Sequence, residues 1–319
     1  MRGRWGFRFA LVAGTLSLAA CDDLPFGGPN PPDTSARPEA RVAPPPDPVP
    51  DAQSEALALY YRRVQADLLA QGLLRTDGGG PDTPFTDVQL AQNFVRIALF
   101  EEYTDNGGVL RSQQRINSIH RWDSPIRMNI RFGDSVGFEQ RVTDRNAVAS
   151  FARRLSGLTG VPITQTTANP NFHVLFLSEA ERRAFGPELL ALEPNLSQAS
   201  VNAFLTLPRD QYCIVIGTFV PGTATYRQAI VLIRAEHPDM MRLSCIHEEL
   251  AQGMGLANDS PRARPSIFND DEEFGLLTSH DELLLKMLYD DRLYPGMSAA
   301  EAAPIARQLA REYLETGPV

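Results

Sequence analysis

Between residues 116 and 295 the chain switches repeatedly between two hydrophobic periods, and that alternation limits the fold more than any other feature. "PIRMNIRFG" puts Ile126, Met128, Ile130 and Phe132 on one face of a strand, because strand side chains alternate faces with period two. "DRNAVASFARRLSGLTG" follows as an amphipathic helix, expected to stop at Gly157 and Gly160. "FHVLFLS", "QYCIVIGTFV" and "YRQAIVLIRAE" read as three more strands, and a helix carrying "SCIHEELAQGMG" comes next. Strands mixed with long crossover helices predict an α+β domain with a mixed sheet over residues 116–295.

Upstream, residues 51–74 carry apolar Ala56, Leu59, Tyr60, Val64, Leu68 and Leu69 at helical spacing. A second helix is expected from Thr86 through "VQLAQNFVRIALFEEY". The two are predicted to pair as a helical hairpin over residues 51–115, packed on the main domain, with a structural role. The intervening "RTDGGGPDTPF" lacks the lysine and helix context of a phosphate loop and reads as a linker. Residues 296–319, "GMSAAEAAPIARQLAREYLETGPV", form a last surface helix.

Residues 22–50 contain ten prolines and almost no large apolar side chains. Such a stretch cannot bury a core and is expected to be an extended tether, reaching up to ~90 Å at ~3.1 Å per residue. Before it, "MRGRWGFRFALVAGTLSLAAC" has basic Arg2, Arg4 and Arg8, then a short apolar run and a small-residue end. That is the layout of an export signal over residues 1–20, too short for a comfortable membrane span. "LAAC" resembles a bacterial lipobox, which implies that Cys21 is lipidated and becomes the new N-terminus. The expectation is an exported protein, lipid-anchored to the bacterial cell envelope and facing the periplasm. Asp22 and Asp23 resemble an inner-membrane retention signal of some bacteria.

The net charge is −9, and removing a leader with three arginines and no acid takes it to −12. A chain so acidic is not expected to bind nucleic acid, since phosphate contact needs a basic face. Besides Cys21 only Cys213 and Cys245 remain. In a cytosolic protein they would be buried thiols, but in an exported chain an even pair favours a disulfide. Closing a loop of about 33 residues is worth roughly 3–4 kcal/mol on the loop-entropy model.

"SCIHEELAQGMGLANDS" carries the chemistry. In an H-E-x-x-H reading His247 and Glu248 stand first, but Ala251 occupies the second histidine position and binds nothing. On a helical wheel Leu243, Ile246, Leu250 and Met254 form the core stripe. Glu248 and Gln252 share the far face with Cys245, whose disulfide would draw that face under cover. Shifted by one residue, the stretch reads E-E-x-x-Q-x-x-G-x-x-N-D. This resembles the metzincin zinc peptidases, whose motif is H-E-x-x-H-x-x-G-x-x-H or -D. The resemblance puts Glu248 and Gln252 at the first two ligand positions, Glu249 at the catalytic glutamate and Gly255 at the turn. Asn258, with Asp259 beside it, falls at the third ligand. "RPSIFNDD" resembles the turn beneath the metal, with Phe268 in place of methionine, and "HDELLLKMLYD" resembles the final helix. The resemblance covers residues 116–295 and implies a metzincin-like mixed sheet with an active-site-type helix. The chain is also similar to a family of bacterial lipoproteins of unknown function.

The substitutions change the expected chemistry. Catalytic zinc takes imidazole, thiolate or carboxylate ligands and keeps one open position; Gln252 and Asn258 offer only neutral amide oxygens, which suit a hard cation better. No cofactor is therefore expected, with zinc or a hard divalent cation as the ion the positions could take. Ser279-x-x-Glu282 reads as a capping box opening the helix after the turn. "NDDEEF" at 269–274 reads as a solvated acidic loop rather than a cation site. The expected function is non-catalytic binding or scaffolding at the envelope, with an extended peptide or envelope protein as partner. The alternatives are a metal-dependent hydrolase with Glu249 as general base and Glu248, Gln252 and Asn258 or Asp259 as ligands, and a purely structural protein.

Overall fold

The two helices expected at the start of the folded region form, but they do not pair. They are α1 (Ala52–Ala70) and α2 (Asp87–Ala98) in the computed structural model, which describes residues 47–105 and 110–315. The leader, Cys21 and most of the tether lie outside the described residues. α2 buries Leu90, Phe94 and Ile97 against the last two helices, α8 (Ser279–Leu288) and α9 (Ala299–Glu315). α1 lies elsewhere. Tyr61 donates to the Arg209 carbonyl at 3.1 Å, and Gln65 accepts from the Met240 and Met241 amides at 3.0 Å each. The predicted α1 stripe fails as a hairpin face because Leu59 and Leu69 are exposed, while the buried positions are Ser54 and Tyr61. Nor does α2 run on to Tyr103. The chain turns at Leu99 into a small hairpin, β1 (Phe100–Asp105) and β2 (Leu110–Ile116).

The main sheet has five strands: β3 (Ile126–Phe132), β4 (Ile163–Gln165), β5 (Phe172–Leu177), β6 (Cys213–Phe219) and β7 (Tyr226–Arg234). Their order is β4-β3-β5-β7-β6. The first four are parallel, and β6 runs antiparallel to β7 at the edge. Central parallel strands are covered on both faces and read as continuous apolar runs. All six residues of β5 are accordingly buried.

Helices cover both faces. α3 (Phe138–Thr159), which links β3 to β4, packs with α7 (Asp239–Gln252) and α8 over the larger core. It runs through Gly157 and ends at Gly160, whose φ of 72° is the left-handed C-cap geometry that glycine adopts without strain. On the other face sit three short helices, α4 (Glu179–Ala184), α5 (Gly186–Leu192) and α6 (Gln198–Leu205). They enclose a second core with Leu175, Phe204, Ile214 and Leu232. The fold is thus α+β with a five-stranded mixed sheet, and the described residues belong to one compact unit.

The cap of α8 lies one residue before the expected one. Thr278 is the N-cap and Asp281 its reciprocal partner, so Ser279 and Glu282 do not form the box. The reason is that the Asp281 carboxylate has a second job. It also accepts from Ser266 Oγ at 2.6 Å and the Ile267 amide at 3.0 Å, holding the 264–271 turn against α8. Phe268 of that turn is fully buried in the main core.

The candidate cleft beside the edge strand

α7 delivers the motif to the open side of β6. Ile246, Leu250 and Met254 pack into the main core as the stripe requires, and Cys245 bridges to Cys213 on β6 with the Cα atoms 5.9 Å apart. This cross-link pins the helix to the edge strand and holds the face bearing Glu248 and Gln252 along it. His247 lies on the core side. Its ring stacks on Phe151 with centroids 4.0 Å apart, and its Nδ1 accepts the Leu277 amide at 3.1 Å. Burial holds it neutral, with its pKa down to about 3.

The helix then ends at a close approach that only glycine tolerates. Gly255 has φ +120°, and a Cβ there would stand 2.2 Å from the His120 carbonyl oxygen. The chain turns back, and Asp259 comes to the cleft with its Oδ1 3.4 Å from Gln252 Nε2. Asn258 does not. It is fully buried, and its Nδ2 donates to the carbonyls of Arg96 and Asp259 at 2.8 Å each. Of the two residues weighed for the third ligand position, only Asp259 lines the cleft.

The cleft has a volume of about 390 Å³ and runs the length of β6, from Asp210 to Phe219. Glu248, Glu249, Gln252 and Asp259 form its inner wall. Glu249 is buried and Glu248 partly so, and both carboxylates, like that of Asp259, have polar or electrostatic partners. At the Phe219 end the wall is aromatic: His120 lies against Phe219 at 4.3 Å, and Phe219 stacks on Tyr226 at 4.9 Å. Burial lowers the His120 pKa to about 4, so this imidazole is neutral. At the other end are Tyr212, Asp210, Asp270 and Glu272. Burial first, then the charges of Asp270 and Asp271, push Glu272 up to about 7. Tyr212 rises to about 12 through burial and then the neighbouring Glu272. Among the described residues no lysine or arginine lines the cleft.

The donors do not suit a catalytic zinc. Cys213, Glu248 and Glu249 bring one ligand atom each within 4.8 Å of one another, but the Cys213 sulfur is committed to the disulfide and is no thiolate. Gln252 adds only an amide beside Asp259. Among the described residues no histidine stands at this inner wall, since His247 faces the core and His120 sits at the aromatic end.

Of the residues that the motif spacing picks out, Glu248, Glu249, Gln252 and Asp259 line the cleft and Gly255 makes the turn beside it, while Tyr212, Asp210 and His120 join only through the fold. The acidic 269–274 run is solvated at Asp270 and Asp271, and Asp270 and Glu272 also line the cleft.

A family model described as "Protein of unknown function (DUF2927)" matches residues 87–308, and the chain belongs to this family. The matched span opens at the first residue of α2 and leaves out α1, in keeping with α2 packing on the main domain apart from α1. No curated protein and no solved structure matches the chain.

Proposed function

We propose that this DUF2927 member is a cell-envelope lipoprotein whose cleft holds an extended segment of a partner protein, without cleaving it. The observation that carries the reading is β6. It is hydrogen-bonded to β7 on one side, and its other side borders a cleft along its whole length. An edge strand presents a row of backbone donors and acceptors, and adding a strand is the usual way an extended peptide satisfies them. Seven residues of β6 give room for roughly 20 Å of partner chain. The cross-link to α7 keeps edge and wall in register, so the groove is preformed and loses little entropy on binding. In this reading Glu248, Glu249 and Gln252 act as polar wall rather than as metal ligands, because the donor set lacks the imidazoles and thiolates that zinc selects.

Anchoring follows from the leader and tether. Cys21 carries the lipid, and the proline-rich stretch lets the cleft stand well off the bilayer. Among the described residues no helix is long and apolar enough to cross a membrane, and the disulfide fits an oxidising compartment.

The test is to present the full chain with a library of ten-residue peptides, with and without added zinc, and identify bound peptides by mass spectrometry. Extended, β-prone sequences recovered intact in both arms support the reading. Zinc-dependent cleavage would replace it with the hydrolase, and no enrichment would remove it.

A further inference from the structure

The ends of the cleft differ, and the difference says what kind of segment fits. At the start of β6, Asp210 and Tyr212 come from the strand's own approach, while Asp270 lies near the end of the 264–271 turn and Glu272 just after it. These four meet from sequence positions some sixty residues apart, and no described cation lines this end. Asp210 and Asp270 are exposed. Glu272 is partly covered, with φ 57° and its carbonyl accepting the Leu74 amide at 2.8 Å, so its backbone is fixed.

We infer that the segment seated along β6 is cationic, with a lysine or arginine side chain held at the Tyr212 end by Asp210, Asp270 and Glu272. This rests on the peptide-binding reading above and narrows its partner class. The fit is chemical on three counts. A basic side chain has an apolar stem that lies along the Tyr212 ring, whose face also attracts the charge. Its head reaches carboxylates from two directions. Its arrival offsets the charges of Asp270 and Asp271, which add to burial in pushing Glu272 up to about 7, so the ligand eases the repulsion among these carboxylates. An anionic segment would meet that field directly, which supplies discrimination as well as attraction. The Phe219 end, lined by His120 and Tyr226, has no such field and takes an apolar side chain.

The experiment uses the full chain and three labelled nine-residue peptides on one alternating valine-threonine frame, carrying lysine, serine or glutamate at the variable positions. Affinity is read by fluorescence anisotropy at two salt concentrations. The lysine peptide is expected to bind at least ~10-fold tighter than the serine peptide at low salt, with the gap narrowing at high salt. The double variant Asp270→Asn/Glu272→Gln should cut that gap to about threefold or less. Glu139→Gln/Glu188→Gln, which removes two exposed acids away from the cleft, should leave it intact and so controls for the chain's overall charge. Thermal unfolding checks that the variants fold. Asp210→Asn, on the other loop and exposed, gives an independent reading should the double variant be unstable. Equal binding of lysine and serine peptides, or the same gap in the cleft and control variants, would overturn the charge inference while leaving strand addition in place. Failure of all three peptides to bind would overturn both.

Discussion

Two regions of this molecule are rich in acids, and they treat them in opposite ways. At the carboxyl ends of the parallel strands, Glu179 accepts from Arg182 at 2.7 Å and from Arg234 at 2.8 Å, with both guanidinium groups almost fully buried. Arg234 also donates to the carbonyls of Leu207 and Pro208, and Arg182 to that of Phe204. Nearby, Arg242 pairs with Asp144 at 3.0 Å. Burial alone would raise the Glu179 pKa, but the bonds from Arg182 and Arg183 and the charge of Arg234 bring it down to about 2. Here the Glu179 carboxylate is paired with buried cations. Along β6 the acids line an open cleft whose described wall has no basic side chain, and there Glu272 moves the other way. Carboxylates with buried cations hold the fold together, whereas carboxylates facing a groove are available to a ligand. Residue type alone does not separate the two; the partner does.

The largest expected effect falls on the paired region. Arg234→Met leaves Glu179 with a broken network and should cost about 3–5 kcal/mol in denaturant unfolding, as removal of one member of a buried ion pair does. Glu248→Gln, on the cleft wall, should cost under ~1 kcal/mol. Equal losses at the two sites would erase the distinction.

Next comes the bridge that joins the cleft to the core. Replacing Cys213 and Cys245 together by serine should lower stability by about 2–4 kcal/mol, measured by the same unfolding curves with the wild type reduced and oxidised. The variant should also lose peptide binding where it still folds, because α7 is no longer pinned to β6.

The two regions should also diverge with pH. His247 has a folded pKa of about 3 against an ordinary 6.5, so the unfolded chain takes up its proton first and stability falls as pH drops from about 6.5 towards 3. Glu179, at about 2 against 4.5, contributes stability above 4.5 that is lost as pH falls towards 2. Glu272 has the opposite sign. Its folded pKa is raised from 4.5 to about 7, so it costs stability as pH rises through that window. Unfolding free energies from pH 3 to 8 should therefore rise steeply up to about 6.5. Glu272→Gln should remove a small opposing slope between about 4.5 and 7. A steeper decline towards neutral pH in that variant would contradict the assignment.

Much of this was legible in the sequence where segments are long and periodic. β3, β5, β6, β7 and the motif helix stand where the hydrophobic pattern puts them, and Gly255 sits at a turn whose close approach excludes any other residue. What escaped was short or polar. "EAERRA", "GPELLAL" and "QASVNAFL" are too brief for a 3.6-residue period to show, and "FEEYTD" and "LRSQQRI" lack the apolar alternation of a buried strand. In the site, spacing along α7 could reveal Glu248, Glu249 and Gln252 because one helix carries them all. It could not decide between Asn258 and Asp259, since both follow the same turn and only packing sends Asn258 into the core. Tyr212, Asp270 and Glu272 meet across a sheet edge, and single-sequence periodicity holds no record of such a meeting.

The most direct test of the account is backbone amide exchange along β6 in the presence of the lysine peptide. In an edge strand, alternate residues point their amides away from the neighbouring strand. Alternate amides within residues 213–219 are predicted to slow at least ~10-fold on binding, while those of central β5 stay as they were and the peptide is recovered whole. A peptide that binds with the β6 amides unchanged, or that returns cleaved, would contradict strand capture in the cleft.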